Sequence, residues 1–425
     1  MKIELINTGS ELLLGRVLNT HQQWICRGLA DLGYEVSRQI CVPDDGPSIQ
    51  AAVRESLSRA DLIITTGGLG PTSDDITRDL IAQMLGRKLI FDPAVMAQIE
   101  RYFASRQRST PPKTELQAMI PEGARVLPNL NGTAPGLAIP CEPNPFSNSS
   151  AKALLILLPG PPRELRPMFT DLALPLIQRE MPLSAKFVCR TLRTAGMGES
   201  LVENKIAPPL EPLVRQGLEI GYCARIGEVD VRLIARGECA SEIVAQAELT
   251  VRELLYQTLI FGIDDDSMES SIVHLLTAQR KTLALAESCT GGMIANRITD
   301  VPGASAVLIA GLVTYSNQSK QALLGVRSES LDAHGAVSEV VAREMAEGAI
   351  ARLDTDYAIS VTGIAGPSGG TDAKPVGTVF MALARRDAQT IVRRQFNNFD
   401  RETFKFVTSQ QSLSMLREQI CRIVP

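Results

Sequence analysis

The sequence predicts an α/β protein with three parts: an N-terminal, mostly parallel sheet with helices on both faces, a small α+β middle domain and a C-terminal α/β domain. Two observations lead to this prediction. Short apolar runs, such as residues 3–6, 62–65 and 153–158, alternate with amphipathic stretches typical of helices, such as 20–32 and 75–85. Glycine-rich loops follow several of the apolar runs, at the sheet edge where α/β proteins bind ligands.

Changes of pattern along the chain predict where the domains lie. Three domains are expected, over residues 1–175, 185–261 and 268–425. The middle domain is expected to contain a strand, a helix, two strand-like runs and a second helix, at 187–194, 199–208, 221–235 and 240–256. The acidic stretch 262–267 is interpreted as a linker, and the proline- and serine-rich stretch 141–150 as a surface hairpin or loop insertion.

Composition narrows the class of protein. With 425 residues and 44% hydrophobic content, the chain is long enough for two or three domains with ordinary cores. A net charge of −4 without long basic runs argues against nucleic acid as the main partner. The eight cysteines lack C-x-x-C spacing, which favours reduced thiols in a cytoplasmic protein over disulfides or zinc. No apolar run approaches the roughly 20 residues of a membrane span, and no targeting signal is expected.

Three loops in the first domain, at 8–15, 67–75 and 159–164, follow predicted strands. The second loop contains Gly67, Gly68 and Gly70, and such glycines let a backbone approach a phosphate closely. Asp74 and Asp75 follow, and two carboxylates beside a phosphate repel it unless a hard cation lies between them. We therefore expect a metal-bridged phosphate site. The alternative is that both acids only cap the following helix.

Two motifs near the C-terminus are the most informative part of the chain. They read Ala-Glu-Ser-Cys-Thr-Gly-Gly at 286–292 and Val-Thr-Gly-Ile-Ala-Gly-Pro at 361–367, and each follows a predicted strand. A third apolar run, 307–314, is followed by Tyr315 and Lys320. Because parallel strands carry their ligand-binding loops at the same edge, a serine, a tyrosine and a lysine become available beside a glycine-rich loop. This combination suggests hydrolysis.

Hydrolysis of this kind needs a nucleophile, a base and oxyanion donors. Ser288 and Cys289 are both candidate nucleophiles, whereas His274 and His334 are not placed by the sequence to serve a triad. Lys320 or Tyr315 is left as the base. The pKa of a lysine is normally about 10.4, and it must fall to about 7–8 if the lysine is to accept a proton near neutral pH. This requirement predicts a desolvated pocket. The alternative is a solvated lysine at the start of a helix.

Together these motifs resemble the CinA family (competence/damage-inducible protein A) over essentially the whole chain. The resemblance is carried by the C-terminal motifs and by four N-terminal stretches, at 7–15, 67–75, 131–136 (Asn-Gly-Thr-Ala-Pro-Gly) and 157–168. It implies a molybdopterin-binding-type first domain acting as an ADP-ribose pyrophosphatase with a divalent cation and potassium. It also implies a KH-like middle fold and a nicotinamide mononucleotide deamidase that needs no cofactor and works in pyridine-nucleotide salvage. Small-molecule nucleotides as substrates and a homodimer are implied as well.

The resemblance also assigns roles to residues. It makes Ser288 the nucleophile and Lys320 the base, acting through or beside Tyr315, with Cys289 as a packed neighbour. The amides of Thr290, Gly291 and Gly292 are expected to donate to the oxyanion, and the expected mononucleotide contacts are Thr362, Gly363, Ala365 and Gly366. Arg401, which follows Asp400 at a predicted helix start, is a candidate for a charged contact to the substrate, and the alternative is a free surface arginine. Lys374 is left as either a phosphate contact or a turn-closing residue. In the first domain the expected substrate contacts are Gly67, Gly68, Gly70 and Arg163, and the expected metal ligands are Asp74, Asp75 and Glu11.

One position departs from the family pattern. Where the family has lysine before Gln117 and Ala118, this chain has Leu116, so a cation that could hold phosphate is missing. Lys113 or Arg163 is a candidate replacement. The pyrophosphatase is therefore less well supported than the deamidase. A further alternative, of a different class, is a non-catalytic binding or scaffold protein linked to competence or DNA uptake.

Overall fold

A computed structural model describes residues 1–147 and 152–421, which divide into two units, Met1–Phe187 and Val188–Pro425. The strands of the first unit are β1 (Ile3–Thr8), β2 (Val36–Val42), β3 (Leu62–Thr66), β4 (Leu89–Phe91), β5 (Met119–Pro121), β6 (Arg125–Leu127), β7 (Gly136–Cys141) and β8 (Ala153–Leu158). Its helices are α1 (Ser10–Leu13), α2 (Thr20–Ala30), α3 (Gly46–Leu57), α4 (Thr77–Met84), α5 (Pro93–Ala104), α6 (Pro162–Met168) and α7 (Leu174–Glu180). A 3₁₀ segment spans Pro112–Ala118, and a π segment spans Phe169–Ala173.

The main sheet of this unit has the order β2-β1-β3-β8-β7-β6. The first four strands are parallel, whereas β7 and β6 are antiparallel. Strands β1, β3 and β8 are buried along their whole length, as expected when helices cover both faces of a parallel sheet. Alternate residues of these strands, such as Leu5 and Ile6, enter two different core clusters. The predicted mostly parallel sheet is therefore confirmed.

Strands β7 and β8 form an antiparallel pair in which Cys141 lies opposite Ala153. The stretch in which the sequence predicts a hairpin or loop insertion begins at Cys141, the last residue of β7, and precedes β8 in the chain. Residues 148–150 of that stretch lie outside the described part of the chain.

The second unit begins with a small sheet of order β10-β11-β9-β12. Its elements are β9 (Phe187–Ala195), α8 (Glu199–Val214), β10 (Glu219–Arg225), β11 (Glu228–Arg236), α9 (Ala240–Leu259) and β12 (Ile260–Ile263). The sequence pattern predicts that this helix ends at residue 208, but α8 continues to Val214. It continues because its buried stripe of Val202, Ile206 and Leu210 extends to Leu213. Gly262 and Ile263, interpreted as linker, instead pair with β9, so the linker begins later than expected.

The rest of the second unit is an α/β region around the sheet β14-β13-β15-β16-β17. Its elements are α10 (Met268–Gln279), β13 (Leu283–Glu287), α11 (Met293–Thr299), β14 (Leu308–Val313), α12 (Asn317–Leu324), α13 (Ser328–His334), α14 (Glu339–Leu353), β15 (Tyr357–Gly363), β16 (Thr378–Arg385), β17 (Ala388–Phe396) and α15 (Arg401–Cys421). Strands β13, β14 and β15 are parallel, so the loops that follow them leave at one edge. Within the described residues no helix is both long and apolar enough to cross a bilayer.

Candidate active site

A serine and a lysine meet where β13 and β14 end. Ser288 directly follows β13, and Lys320 lies in the first turns of α12, whose start is held by a capping box between Ser316 and Ser319. The Nζ atom of Lys320 donates to Ser288 Oγ at 3.1 Å and to the carbonyl oxygen of Thr314 at 2.8 Å. Because Lys320 is only 1% exposed, the alternative of a solvated lysine is wrong.

The surroundings of Lys320 disfavour its charged form. Burial lowers the pKa of the Lys320 amine, and a negative charge on Cys289 would act in the opposite direction. Within residues 1–147 and 152–421 no carboxylate forms an ion pair with this amine, and its acceptors are a hydroxyl and backbone carbonyls. A lysine with a lowered pKa beside a serine hydroxyl has the properties of a general base for that hydroxyl.

Glu287, the acid that precedes Ser288 in the chain, is bound to the backbone and forms no ion pair with Lys320 among the described residues. This residue ends β13, is 1% exposed, and accepts hydrogen bonds from the amides of Gly292 at 3.0 Å, Ile294 at 3.1 Å and Ala295 at 2.9 Å. Its carboxylate is thus committed to the backbone at the start of α11. Sequence reasoning gave Glu287 no role, although an acid between a buried strand and a helix start is a recognisable signal.

The expected oxyanion donors are only partly available. The amide of Gly291 donates to the Ser288 carbonyl at 3.1 Å, and the amide of Gly292 donates to Glu287, so neither is free. In the part of the chain that the structure describes, the Thr290 amide donates to no acceptor. Of the three predicted donors, Thr290 alone can therefore serve a developing oxyanion without breaking a bond of the loop.

Cys289, the second candidate nucleophile, points into the hydrophobic core of the domain. Burial raises the pKa of its thiol to about 12. The thiolate is the nucleophilic form of cysteine, and at this pKa it is almost absent at neutral pH. The geometry and the charge state both favour Ser288 over Cys289.

Tyr315 and Arg401 link two loops of the site. The Tyr315 hydroxyl accepts a hydrogen bond from Arg401 Nη2 at 2.8 Å, and Arg401 Nη1 donates to the carbonyl of Gly366 at 2.8 Å. Tyr315 is 62% exposed, and its contact with Lys320 is made by its backbone carbonyl, at 3.5 Å, rather than by its phenol. The phenol does not lie between Lys320 and Ser288, so the arrangement favours a base beside Tyr315 over one acting through it.

The other predicted residues of this domain shape the loops. Thr362 is buried and donates to the Ala336 carbonyl at 2.8 Å, and Ala365 is buried as well, whereas Gly363 is partly exposed at the end of β15. The Lys374 backbone closes a turn by exchanging hydrogen bonds with Thr371 at 2.9 and 3.1 Å, and its Nζ atom donates to the His334 carbonyl at 2.6 Å. His334 is the last residue of α13. In the described chain neither His334 nor His274 is hydrogen-bonded to Ser288 or Lys320.

The three loops of the first unit meet at one edge of its sheet, as their strands predict. The Gly67 amide donates to the Leu158 carbonyl at 3.0 Å, and a side chain at Gly67 would lie 2.5 Å from the Thr8 hydroxyl. A side chain at Gly160 would lie 3.8 Å from the Gly67 backbone. Gly68 lies against the hydroxyl of Thr77, the first residue of α4, and that hydroxyl is buried without a hydrogen-bond partner among the described residues.

The predicted metal ligands do not form a set. Asp75 accepts hydrogen bonds from the amide of Thr72 at 3.0 Å and from its hydroxyl, and Asp74 is exposed. Neither acid caps α4, which has no side-chain cap. Glu11 lies in α1, beside Gly9. In the described ranges no group of three or more His, Cys, Asp or Glu side chains could hold a metal ion.

Around these loops, Gly70 lies beside the Asp75 carboxylate, and the Arg163 side chain is 72% exposed. Leu116, in the position of the expected lysine, is 47% exposed. Sequence reasoning missed Glu164, a buried acid whose carboxylate accepts from Asn129 Nδ2 at 2.7 Å. Burial raises the pKa of Glu164.

Comparison with known proteins identifies the family. Family models match over nearly the whole chain: a probable molybdopterin binding domain over 4–179, the damage-inducible protein CinA KH domain over 189–262, and the CinA C-terminal domain over 265–420. A putative competence-damage inducible protein of Symbiobacterium thermophilum is 46% identical over 92% of this chain and 90% of its own length. The chain belongs to the CinA family. The resemblance inferred from the motifs is thereby confirmed.

A second relative supports the same family assignment. A CinA-like protein of Akkermansia muciniphila is 43% identical over 98% of this chain and 97% of its own length. Among solved structures, the competence/damage inducible protein CihA of Agrobacterium tumefaciens is 39% identical and covers 35% of this chain and 91% of its own, with a TM-score of 0.35. These names refer to competence, to damage or to CinA itself, and they specify no reaction.

Proposed function

We propose that the C-terminal domain is an amidohydrolase that converts nicotinamide mononucleotide to nicotinate mononucleotide and ammonia, in pyridine-nucleotide salvage. The main support is the buried Ser288–Lys320 pair, with 3.1 Å between Oγ and Nζ and no carboxylate ion-paired to the amine among the described residues. A serine–lysine pair is a known variant of the serine nucleophile and its base. The substrate class comes from the family resemblance, and the site chemistry is that of acyl transfer.

In the first half of the proposed reaction, neutral Lys320 accepts the hydroxyl proton of Ser288 while Oγ attacks the carboxamide carbon. The electron pair of the carbonyl moves onto its oxygen, and we expect the Thr290 amide, which has no acceptor among the described residues, to stabilise this oxygen. The carbon–nitrogen bond then breaks. Lys320 returns its proton to the leaving nitrogen, ammonia departs, and the acyl group stays on Ser288 as an ester.

The second half repeats the proton transfers with water. A water molecule attacks the ester carbon and gives a proton to Lys320, the bond to Oγ breaks, and Lys320 returns the proton to Ser288. The product is released as a carboxylic acid, which gives its remaining proton to the solvent or to ammonia and becomes a carboxylate. One residue can serve as base and acid in both halves because the lowered pKa of Lys320 increases the fraction of neutral amine near pH 7.

The test is ammonia release from nicotinamide mononucleotide by the purified chain, by Ser288→Ala and by Cys289→Ser as the neighbouring control. We expect turnover in the wild type and in Cys289→Ser, and none above background in Ser288→Ala with an unchanged melting temperature. Wild-type turnover in Ser288→Ala would contradict the nucleophile assignment. No turnover in the wild type would contradict the reaction and favour the non-catalytic binding alternative.

We also propose a pyrophosphatase acting on ADP-ribose in the first unit. It is supported by the meeting of three glycine-containing loops and by the unpartnered buried hydroxyl of Thr77 beside Gly68. Because the described carboxylates form no metal-binding set, we assign no step to a cation. The measurement is AMP release from ADP-ribose with and without divalent cations and potassium, in the wild type, Asp74→Ala and Asp75→Ala. Unchanged hydrolysis in both variants would remove these acids from the site.

A further inference from the structure

A second cation lies against the turn that carries Ser288. Lys405 is in α15, four residues after Arg401 and therefore on the same helix face. A side chain at Gly291 would place its Cβ 3.7 Å from Lys405 Nζ and 3.9 Å from its Cε. Gly291 has a φ of +64° and no side chain, so the ammonium group can approach the backbone of the turn directly.

This turn places Lys405 close to the proposed nucleophile. The Gly291 amide donates to the Ser288 carbonyl at 3.1 Å, which is the hydrogen bond of a four-residue β-turn. The first and last Cα atoms of such a turn are less than about 7 Å apart. Lys405 and Ser288 therefore lie at a separation that one mononucleotide can span.

The ammonium group of Lys405 has no polar partner among the described residues. In the described part of the chain, its Nζ atom forms no salt bridge and donates to no acceptor, unlike Lys281, which pairs with Asp356 at 2.8 Å. The two terminal nitrogens of Arg401 are occupied by Gly366 and Tyr315.

Three acids lie near Lys405 along the chain or in the turn. Glu402, three residues before Lys405 on α15, forms no salt bridge with it among the described residues, and the other two acids are held by backbone amides. The Glu287 carboxylate is held by three amides, and Asp400 accepts from the amides of Glu402 and Thr403 at 3.0 and 3.1 Å. An unneutralised ammonium group beside a reactive loop is suited to an anionic part of a ligand.

We propose that Lys405 binds the phosphate group of the nucleotide substrate and so makes the site select phosphorylated over unphosphorylated nicotinamide compounds. This inference rests on the proposed function and adds its specificity-determining residue. Lys405 acts on binding rather than on the proton transfers, because the Ser288–Lys320 pair is complete without it. Its loss should consequently raise KM more than it lowers kcat.

The experiment compares two substrates, nicotinamide mononucleotide and the corresponding nucleoside without phosphate, in the wild type, Lys405→Met and Lys405→Arg. For Lys405→Met we expect about a 30-fold loss of kcat/KM on the mononucleotide, equivalent to about 2 kcal/mol, and less than about a threefold change on the nucleoside. Lys405→Arg keeps the charge and should recover most of the loss. An equal loss on both substrates, or none on either, would overturn the proposal.

The matched control is Arg352→Met. Arg352 is an exposed cation in the last turn of α14, near the beginning of β15, whereas the site lies where β15 ends. It should behave as the wild type on both substrates.

A separate binding measurement distinguishes failure of this proposal from failure of the proposed reaction. If the wild type releases no ammonia from either substrate, calorimetric titration with inorganic phosphate is performed on the wild type and on Lys405→Met. Phosphate binding that is lost in Lys405→Met supports the anion site without the reaction. Equal binding in both proteins, or binding in neither, overturns it.

Discussion

Replacing Lys320 by methionine tests the central feature of the site, the buried amine beside Ser288. Methionine is unbranched and uncharged, so it can occupy the 1%-exposed position without burying an unpaired charge. At pH 7 a lysine with the ordinary pKa of about 10.4 is neutral in roughly one molecule in 2,500. Each pH unit by which burial lowers the Lys320 pKa raises this fraction about tenfold. Loss of a general base typically costs a factor of about 10²–10⁴, which is the decrease in kcat that we expect.

The pH dependence follows from the same protonation state. Only neutral Lys320 can accept the Ser288 proton, so kcat/KM should rise about tenfold per pH unit below the Lys320 pKa and level off above it. Because burial lowers this pKa, the plateau should begin below the ordinary lysine value of about 10.4.

The assay is ammonia release between pH 6 and pH 10 by the wild type, Lys320→Met and Lys320→Arg, with Cys289→Ser as the control. Arginine is permanently charged and cannot act as the base, so Lys320→Arg should be as inactive as Lys320→Met. The assignment is refuted if either variant retains more than about a tenth of the wild-type turnover. It is also refuted if wild-type kcat/KM is still rising tenfold per pH unit at pH 10.

Three further predictions concern the residues around this pair. Glu287→Ala should lower the free energy of unfolding by about 2–4 kcal/mol in urea titration, because three amides lose a charged acceptor. A change below about 0.5 kcal/mol would contradict this. The free energy of unfolding of Glu287→Gln should lie between those of the wild type and Glu287→Ala. Tyr315→Phe removes only the hydroxyl that accepts from Arg401. In steady-state kinetics kcat/KM should therefore decrease by about tenfold or less, mainly because KM rises. A thousandfold loss of kcat would place the phenol in the proton path. Cys289 has a thiol pKa of about 12 and should not react with iodoacetamide at pH 7.5, whereas the exposed Cys223 should react. Peptide mapping measures both, and rapid labelling of Cys289 would contradict its burial.

Local patterns were sufficient to predict most elements that position the site. The predicted strands at 3–6, 62–65 and 153–158 became β1, β3 and β8, because continuous apolar runs can be accommodated only inside a sheet that is covered on both faces. Helix ends were predicted less well, since the length of α8 depends on its buried stripe rather than on Pro208. The linker was misjudged because the pairing of Gly262 and Ile263 with β9 is a contact between residues distant in sequence.

The sequence alone determined the family, the mostly parallel architecture and the identity of the reactive residues to consider, because these depend on residue type and short-range order. Only the tertiary structure decided their chemical state. Burial between packed elements removes water from Lys320, and the same packing raises the pKa of Cys289 and commits Glu287 to the start of α11. The approach of Lys405 to Gly291 likewise joins residues far apart in the chain. Desolvation and distance are properties of the folded chain, and they distinguish the buried Lys320 from an ordinary surface lysine.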